Sequence, residues 1–342
     1  MADRHPTEAA TGSATMSAED RLIARYFKPL AKHPAALGFN DDAAAIAPPP
    51  DCDVVLKTDG VIVGVHVFAD DPPDAIAQKA LRMNLSDLAA KGATPLGFLM
   101  SIALPGDVSE AWVAQFAKGL AADADHYGCP LLGGDTDRTP GPAAINVFAF
   151  GAVPHGRMVL RGGARPGDRV VVTGSIGDAA LGLALRRDAS LRSRWRLDQR
   201  SQDHLASRYL LPQPRNAIAE ILRDHASGAM DVSDGLAGDF AKLCRASGVA
   251  GEIDVARVPL SDAARAALAA DPAAIETILT GGDDYEILAT MPAAKVAPFQ
   301  YAAAGAGVAV TEIGAITAGE GACLLDGNGR ALSFAHPSYS HF

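Results

Sequence analysis

Short acidic motifs, beside glycine or at the ends of apolar stretches, are the residues of this sequence best suited to chemistry. Carboxylate oxygens are hard ligands for Mg²⁺, which uses one or two carboxylates together with waters and phosphate oxygens. Glycine lets backbone N–H groups come close to a phosphate. The motifs therefore predict metal-assisted chemistry on phosphates. They are Asn40-Asp41-Asp42, Lys57-Thr58-Asp59-Gly60, Asn84-Leu85-Ser86-Asp87, Gly133-Gly134-Asp135-Thr136, Asp231-Val232-Ser233-Asp234-Gly235 and Gly281-Gly282-Asp283-Asp284-Tyr285-Glu286.

Each motif also has a simpler interpretation, because Asp-Gly is a turn signal and an Asp at the end of a strand often caps the next helix. The set as a whole is harder to explain in that way. The motifs lie beside apolar strands or small residues, where an unpaired charge is costly to desolvate. Clustered carboxylates also repel one another unless cations neutralise them. A shared cation site accounts for the whole set.

The common nucleotide-binding signatures do not occur in the sequence. It contains no GxxxxGK[ST] loop, no GxGxxG after a strand and no HRD or DFG set. Gly174-Ser175-Ile176-Gly177 follows a short apolar strand and is a weak phosphate-loop signal. No Ser-His-Asp or Cys-His arrangement stands out, although a triad that meets only in space leaves no such pattern.

The composition narrows the class of protein. The chain has 342 residues, enough for two domains of typical size. Its formal net charge of -10 disfavours sequence-independent nucleic-acid binding, which needs clustered Lys and Arg. No apolar run approaches the roughly 18–20 residues that cross a bilayer, so no membrane partner is expected. Four cysteines without CxxC spacing argue against zinc or disulfide frameworks and indicate a reducing cytoplasm.

Apolar periodicity predicts the elements that position the motifs. Residues 1–16 are expected to form a disordered extension, because they lack an apolar secretory core. A helix is expected to begin after Ser17, where a capping box precedes apolar residues at helical spacing. The next expected elements are a strand over Asp53–Phe68, a helix over about Asp74–Ala90, a strand over Leu96–Leu104, a helix over Ser109–Tyr127 and a strand over Ala143–Val153.

A second set of elements follows a segment rich in Gly and Arg at 156–167, which predicts a domain boundary. The expected domains are therefore residues 17–155 and residues 156–342, and the family resemblance given below implies ATP and metal binding and dimerisation for the first of them. The second domain is expected to contain a strand at Asp168–Gly174, helices near Gly177–Arg187, Arg215–His225 and Leu236–Ala246, and strands at Gly251–Val255, Tyr285–Thr290 and Val308–Ile316.

The order and spacing of the motifs are similar to those of the thiamine-monophosphate kinase family, in the superfamily shared with aminoimidazole-ribotide synthetase and selenophosphate synthetase. The resemblance covers nearly the whole chain after about Ser17. It implies an α/β fold of the α+β type, with an N-terminal sheet that joins its twin across a homodimer and a C-terminal α/β domain. Besides the acidic motifs, it rests on Leu22-Ile-Ala-Arg-Tyr-Phe27, Gly64-Val-His66, Gly151 through Arg161, Arg165-Pro-Gly-Asp168 and His341-Phe342.

The resemblance implies a role for each matching residue. ATP would contact Gly134, Asp135, Arg161 and Ser233, with Arg161 using its forked guanidinium. Thiamine phosphate would contact His66 and Asp283. Where the family often places a Trp against the thiamine ring, the matching stretch Leu332–Pro337 offers Phe334 or His336. The ligands of several Mg²⁺ ions, held between the ATP phosphates and the acceptor phosphate, would be Asp42, Thr58, Asp59, Asp87, Asp135, Asp231 and Asp234.

Two further positions depart from the family pattern. Asp283 stands where the family usually has Glu, so its side chain is one methylene shorter. Lys57 precedes Thr58 where a small hydroxyl residue is common. A cation at that position is expected to replace or weaken one metal contact.

The implied activity is ATP-dependent conversion of thiamine phosphate to thiamine diphosphate. An oxygen of the acceptor phosphate would attack the γ-phosphorus of ATP directly and in line, so no catalytic general base is expected. Two alternatives stay open: another ATP-using member of the superfamily, and a nucleotide-binding regulatory subunit without turnover. Cys52 follows Pro-rich sequence and does not fit the reactive cysteine of a selenophosphate synthetase.

Overall fold

The computed structural model describes residues 16–336, 338 and 339, and it contains two sheets in a mixed α/β arrangement. The expected disordered extension, apart from Met16, lies outside the described residues, as does the terminal His341-Phe342. The capping box predicted at the N-terminus is present. Asp20 N–H donates to Ser17 Oγ at 2.9 Å, and Ser17 N–H donates to the Asp20 carboxylate at 3.1 Å.

The N-terminal sheet has the strand order β1-β4-β2-β3, with β2 and β3 parallel and the other pairs antiparallel. Helices α2 and α3 pack on one of its faces through a core that includes Leu81, Leu85, Phe98 and Phe116. The elements of this domain are α1 (Ala18–Leu22), β1 (Cys52–Ile62), α2 (Pro73–Ala90), β2 (Thr94–Pro105), α3 (Glu110–His126), β3 (Leu131–Thr139) and β4 (Ala144–Pro154).

The other face of this sheet exposes apolar side chains. Leu56 is 70% exposed, Val54 42% and Phe148 41%. All three lie on β1 or β4, and Leu56 and Thr58 pair with Phe150 and Phe148 across the two strands. Strand β1 is an edge strand of the sheet. An apolar face next to a free strand edge is a surface that proteins commonly cover.

The C-terminal sheet has six strands in the order β10-β7-β9-β5-β8-β6, and only the β10–β7 pair is parallel. Its strands are β5 (Asp168–Thr173), β6 (Gly228–Asp231), β7 (Ala250–Asp254), β8 (Ile287–Pro292), β9 (Val310–Thr317) and β10 (Gly321–Leu325). Its helices are α4 (Asp178–Arg187), α5 (Leu191–Arg194), α6 (Gln199–Leu210), α7 (Ala219–His225), α8 (Leu236–Ser247), α9 (Asp262–Ala270), α10 (Ala274–Thr280) and α11 (Ala293–Gly305).

Helices cover both faces of the C-terminal sheet, which explains its continuous apolar strands. Val170 and Val172 of β5 face a core shared with α4, α8, α9 and α10. Val171 faces a second core, which contains residues of α7 and α11. Ala89 and Ala90, at the end of α2, belong to this second core, so α2 packs on both domains.

The strand expected over Asp53–Phe68 is wrong in its second half. Strand β1 ends at Ile62, and Val63 and Val67 are joined only by an isolated bridge around a turn. Gly64 in that turn has φ +87°, a conformation that glycine adopts without a Cβ penalty. The alternation of valines over this segment therefore reflects a turn and not a strand. His66 lies in the turn, and its Nδ1 accepts a hydrogen bond from Ile62 N–H at 3.0 Å.

The helices predicted at 74–90 and 109–127 are confirmed as α2 and α3, and Ser109 caps α3. Strand β3 was not predicted, because its Gly133-Gly134 pair has the composition of a loop. Helix α6 was also missed, since Leu205 and Tyr209 are its only buried residues. No helix among the described residues is both long enough and apolar enough to span a membrane.

Candidate active site

Four carboxylates predicted to bind metal come together where the two domains meet. Asp59 lies on β1 and Asp87 on α2, whereas Asp231 ends β6 and Asp234 precedes α8. Burial raises the pKa of Asp59, and the charges of Asp87 and Asp234 add to that rise. Burial and then the charge of Asp87 likewise raise the pKa of Asp231. The sequence places these residues up to 175 positions apart, and the fold gathers them into one cluster, here called the inner cluster.

Lys57 provides the cation of the inner cluster. Its Nζ lies 2.8 Å from Asp87 Oδ2 and 3.1 Å from Asp59 Oδ2. Residues 57 and 59 share a face of β1 because side chains alternate along a strand. Burial lowers the pKa of Lys57, but the two carboxylates outweigh that effect and the net shift is upward. Lys57 is therefore a charged partner of both aspartates.

Asp231 is the most deeply buried member of the inner cluster, with 5% of its surface exposed. Burial, together with the nearby charge of Asp87, raises the pKa of Asp231 to about 8. Ser86 Oγ donates a hydrogen bond of 2.7 Å to Asp231 Oδ2, which opposes part of that rise. At neutral pH this carboxyl keeps its proton, because burial and the charge of Asp87 outweigh the Ser86 hydrogen bond and the charge of Lys57.

Asp234 is held by a loop whose backbone is anchored to α8. The N–H groups of Ser233 and Asp234 both donate to Asp239 Oδ2, at 3.0 and 2.9 Å. Lys242 Nζ contacts Asp239 at 2.8 Å and also pairs with Asp234. The predicted ATP contact Ser233 thus sits in a rigid turn beside the inner cluster.

The remaining predicted metal ligands lie on the opposite face of the N-terminal sheet. Thr58 alternates with Asp59 along β1, so its side chain points away from the inner cluster. Asp135 pairs with Ser101 of β2, on that same outer face. Asp42 and Asp135 line an open cavity of about 740 Å³ there. The seven predicted ligands therefore form two groups, one on each face of β1.

Gly134, a predicted ATP contact, lines the same outer cavity. A Cβ at this position would come within 1.9 Å of Met100 O, so the close approach of β3 to β2 requires glycine. This packing requirement is sufficient by itself to explain the residue. Arg161 is exposed and lies near Lys91. Burial is the main cause that lowers the pKa of Lys91, and the charge of Arg161 lowers it further.

The two predicted acceptor-side residues, His66 and Asp283, are joined through Lys79. Lys79 Nζ donates to Asp283 Oδ2 at 2.8 Å and to the His66 carbonyl at 3.4 Å. Tyr285 Oη donates to the other oxygen of Asp283 at 3.2 Å. Burial raises the pKa of Tyr285, with help from the charges of Asp283, Asp231 and Asp59, so this phenol lies between the acceptor side and the inner cluster.

Phe334 and His336, the residues predicted to contact the thiamine ring, lie in different surroundings. Phe334 packs against the C-terminal core, and His336 is exposed. The C-terminal segment instead reaches the inner cluster two to three residues later. Tyr339 N–H donates to the Asp234 carbonyl at 3.0 Å, and Ser338 Oγ lies 3.4 Å from the same oxygen.

Several residues at the site were not predicted from the sequence. Lys79, Tyr209 and Lys242 belong to no recognisable motif, and only their positions in the fold bring them to the acidic residues. Ser86 lies in a quoted motif, but its partner Asp231 is 145 positions away. Within residues 16–336, 338 and 339, no group of three or more His, Cys, Asp or Glu side chains is arranged to hold a metal ion.

Comparison with known proteins defines the class first. The family profile described as "AIR synthase related protein, N-terminal domain" matches residues 40–153, and "AIR synthase related protein, C-terminal domain" matches residues 165–325. The chain therefore has both domains of an AIR synthase-related protein.

Full-length relatives define the family within this class. Thiamine-monophosphate kinase of Caulobacter vibrioides is 40% identical over 318 residues, covering 92% of this chain and 88% of that protein. A crystal structure of thiamine-monophosphate kinase from Stenotrophomonas maltophilia has 35% identity and a TM-score of 0.80, covering 92% of this chain and 96% of its own. A structure described as AaThiL complexed with AMPPCP and TMP has 30% identity and a TM-score of 0.74, covering 96% and 100%. The chain belongs to the thiamine-monophosphate kinase family.

The raised pKa of Asp231 predicts how stability depends on pH. The folded protein binds this proton more tightly than the unfolded chain, so the contribution to stability is complete below the ordinary carboxyl pKa and is lost as the pH rises through about 8. In Mg²⁺-free buffer, the melting temperature should fall between about pH 6 and about pH 9 more steeply for the wild type than for Asp231→Asn. The amide still accepts the Ser86 hydrogen bond but does not titrate. The assignment would be contradicted if the melting temperatures of the two proteins changed equally with pH across this range.

Proposed function

We propose that this protein transfers the γ-phosphoryl group of ATP to thiamine phosphate, giving thiamine diphosphate and ADP. The observation that carries the proposal is the inner cluster, assembled from both domains in a chain of this family. The donor and acceptor classes are also supported by the 30% identical AaThiL structure, which is described with AMPPCP, an ATP analogue, and with TMP.

We assign the acidic residues to Mg²⁺ binding on the basis of charge. In the inner cluster, Lys57 pairs with Asp59 and Asp87, and the charges of Asp231 and Asp87 also act on Lys91. Asp234 and its neighbour Asp239 share Lys242, so five carboxylates face three ammonium groups, and two negative charges lack a partner when all are ionised. A divalent cation matches that deficit, and Mg²⁺ completes its shell with waters and phosphate oxygens instead of needing three preassembled protein ligands. The residues therefore fit the metal. Asp234 would join this group, and Asp42, Thr58 and Asp135 would serve a separate group on the outer face.

When bound, Mg²⁺ would neutralise charge on the phosphates. The reaction itself needs little acid–base help from the protein, because the acceptor is a phosphate monoester whose oxygens are already nucleophilic. One such oxygen forms a bond to the γ-phosphorus while the bond to the β–γ bridging oxygen breaks, and ADP leaves. We therefore assign no general base. The protein's part is to position the two substrates.

Residues beside the inner cluster and residues in the outer cavity would position the substrates. We assign Gly134, Asp135, Arg161 and Ser233 to ATP, and His66 and Asp283 to thiamine phosphate. For the aromatic contact to the thiamine ring, Phe334 and His336 are the residues that the sequence offers. Tyr339 is a third candidate, because its backbone contacts Asp234, whereas Phe334 is packed against the C-terminal core. We also place the protein in the cytoplasm, where its free cysteines stay reduced.

We further propose that the protein is a homodimer joined through the N-terminal sheet. The outer face of this sheet carries exposed Val54, Leu56 and Phe148, and β1 presents a free edge beside them. A second copy would cover both features in a self-complementary, two-fold contact. The domain ranges 17–155 and 156–342 then correspond to a dimerising, nucleotide-binding part and a part that closes the site.

The direct test is product analysis. Purified protein should convert thiamine phosphate to thiamine diphosphate with ATP and Mg²⁺, releasing one ADP for each product molecule. ATP hydrolysis without thiamine diphosphate would point to another ATP-using member of the superfamily. No ATP consumption at all would favour a regulatory subunit.

The metal assignment predicts the effect of Asp59→Asn. The substitution keeps the size of the side chain but removes one charge of the inner cluster, so the protein should fold normally. Activity should fall by about 100-fold or more, and raising the Mg²⁺ concentration should restore it poorly. Asp53→Asn is a matched control on the same face of β1, because Asp53 pairs with His155 far from the cluster and should leave turnover unchanged. Steady-state rates test this prediction, and near-normal turnover of Asp59→Asn would show that Asp59 does not bind catalytic Mg²⁺.

The dimer proposal predicts the effect of Leu56→Asp. A charge at the centre of the exposed face would be buried without a partner in the dimer, so the variant should sediment as a monomer at micromolar concentration while the wild type sediments as a dimer. Tyr301→Asp is the control, since Tyr301 is 85% exposed on α11, away from the N-terminal sheet. A monomeric wild type would refute the dimer. A dimeric Leu56→Asp variant would show that the dimer interface does not include this face.

A further inference from the structure

Lys79 is a fully buried lysine at the boundary between the domains, with only 1% of its side chain exposed. Its ammonium lies 2.8 Å from Asp283 Oδ2, 3.1 Å from the Tyr209 carbonyl and 3.4 Å from the His66 carbonyl. It also lies 4.2 Å from the centroid of the Tyr209 ring, within the range of a cation–π contact. Four separate segments therefore meet at one positive charge: α2, the turn after β1, the end of α6 and the loop before β8.

The hydrogen bonds of Lys79 account for all of its donors. An ammonium has three N–H groups, and here each has a protein acceptor. A buried ammonium is stable only if such partners compensate its lost hydration. None of its donors is left for a substrate phosphate. Lys79 therefore does not act as a phosphate ligand, and its effect must pass through the groups that it holds.

Among the partners of Lys79, Asp283 has a strained backbone conformation that depends on its surroundings. Its backbone has φ +63°, in the left-handed region that non-glycine residues adopt at a cost. The preceding Gly282, at φ +75°, packs so closely that a Cβ would come within 2.3 Å of Ser233 O. Asp283 N–H donates to that same Ser233 carbonyl at 2.9 Å, which fixes the backbone. Lys79 and Tyr285 then fix the carboxylate, one at each oxygen.

We propose that Lys79 is a positioning residue for the acceptor substrate: it locks the Asp283 carboxylate and the His66 backbone into one geometry. This inference rests on the proposed function, in which His66 and Asp283 contact thiamine phosphate. Loss of Lys79 frees Asp283 to leave its strained conformation, and the acceptor site loses its shape while the ATP side is unaffected. The effect should therefore appear in the KM for thiamine phosphate and not in the KM for ATP.

Arg82 offers a matched control, since it is a second buried cation on the same helix. It pairs with Asp123 at 2.6 Å and donates to the Pro212 carbonyl at 2.9 Å, so it also ties α2 to the C-terminal domain. Its contacts are with neither His66 nor Asp283. Arg82→Met thus removes a buried interdomain cation without touching the acceptor side.

The test compares Lys79→Met and Arg82→Met in the full-length protein. Both should lower the melting temperature, because each leaves a carboxylate without its partner. Lys79→Met should raise the KM for thiamine phosphate about tenfold or more and change the KM for ATP by less than about twofold, provided that chemistry is slow enough for KM to report binding. Arg82→Met should leave both constants within about twofold of the wild type. Equal changes in the two constants, or an unaltered acceptor KM in Lys79→Met, would overturn the inference.

A second comparison covers the case in which Lys79→Met does not fold. The double variant Lys79→Met/Asp283→Asn removes both charges of the pair and leaves no uncompensated buried ion, so it should fold better than the single variant. If Lys79 acts through Asp283, the double variant and Asp283→Asn should agree in acceptor KM within about twofold. A further large rise in the double variant would overturn the inference. A wild-type protein that makes no thiamine diphosphate would instead overturn the proposed function.

Discussion

Helix α2 is enclosed by the N-terminal sheet on one side and the C-terminal domain on the other, so its polar side chains cannot all reach water. A buried polar group without a partner costs about 1–3 kcal/mol, and a buried charge costs more. These side chains instead find partners in the C-terminal domain, which fixes the register between the two domains. That register also brings Asp87, on the same helix, to Asp231. The interdomain bonds run from Lys79, Arg82, Ser86 and Lys91 to Tyr209, Pro212, Asp231 and Ala229.

The inner cluster follows from this register, and its charge balance explains its protonation. Lys57 compensates Asp59 and Asp87 directly, whereas Asp231 has a serine hydroxyl as its hydrogen-bond partner and keeps its proton to about pH 8. Like charges at short range cannot all ionise without further positive charge. Lys57 is also one of the positions at which the sequence departs from the pattern of the family that it resembles. In this chain Lys57 therefore provides part of the positive charge that compensates Asp59 and Asp87.

The sequence was sufficient to predict the elements whose pattern and end signals agree, such as α2 and α3. The prediction from sequence failed where the same local pattern is compatible with either a strand or a turn. The valines after Ile62 alternate like a strand but form a turn at Gly64, and Gly133-Gly134 resembles a loop but lies in β3. For the site, the motifs identified the aspartates that the fold gathers. Strand alternation places Thr58 and Asp59 on opposite faces, yet which face meets α2 depends on tertiary packing. Lys79 belongs to no motif, because its partners His66, Tyr209 and Asp283 come from three distant segments.

The acidic residues between Gly282 and Ile287 illustrate why a motif cannot be assigned one role. Glu286 is fully buried and bound by Arg208 at 2.9 Å, by Arg215 Nε and by Thr173 Oγ1, both at 2.6 Å, so it anchors β8 to α6. Asp284 is equally buried, and its pKa is raised well above the usual value by burial and then by the charge of Asp178. One of its oxygens accepts a hydrogen bond from Gly177 N–H at 2.8 Å. Asp284 and Glu286 are thus used for structure, whereas the Asp283 side chain is still 30% exposed. The loop combines this exposed carboxylate with the buried Tyr285, and both residues have a left-handed backbone, at φ +63° and +51°.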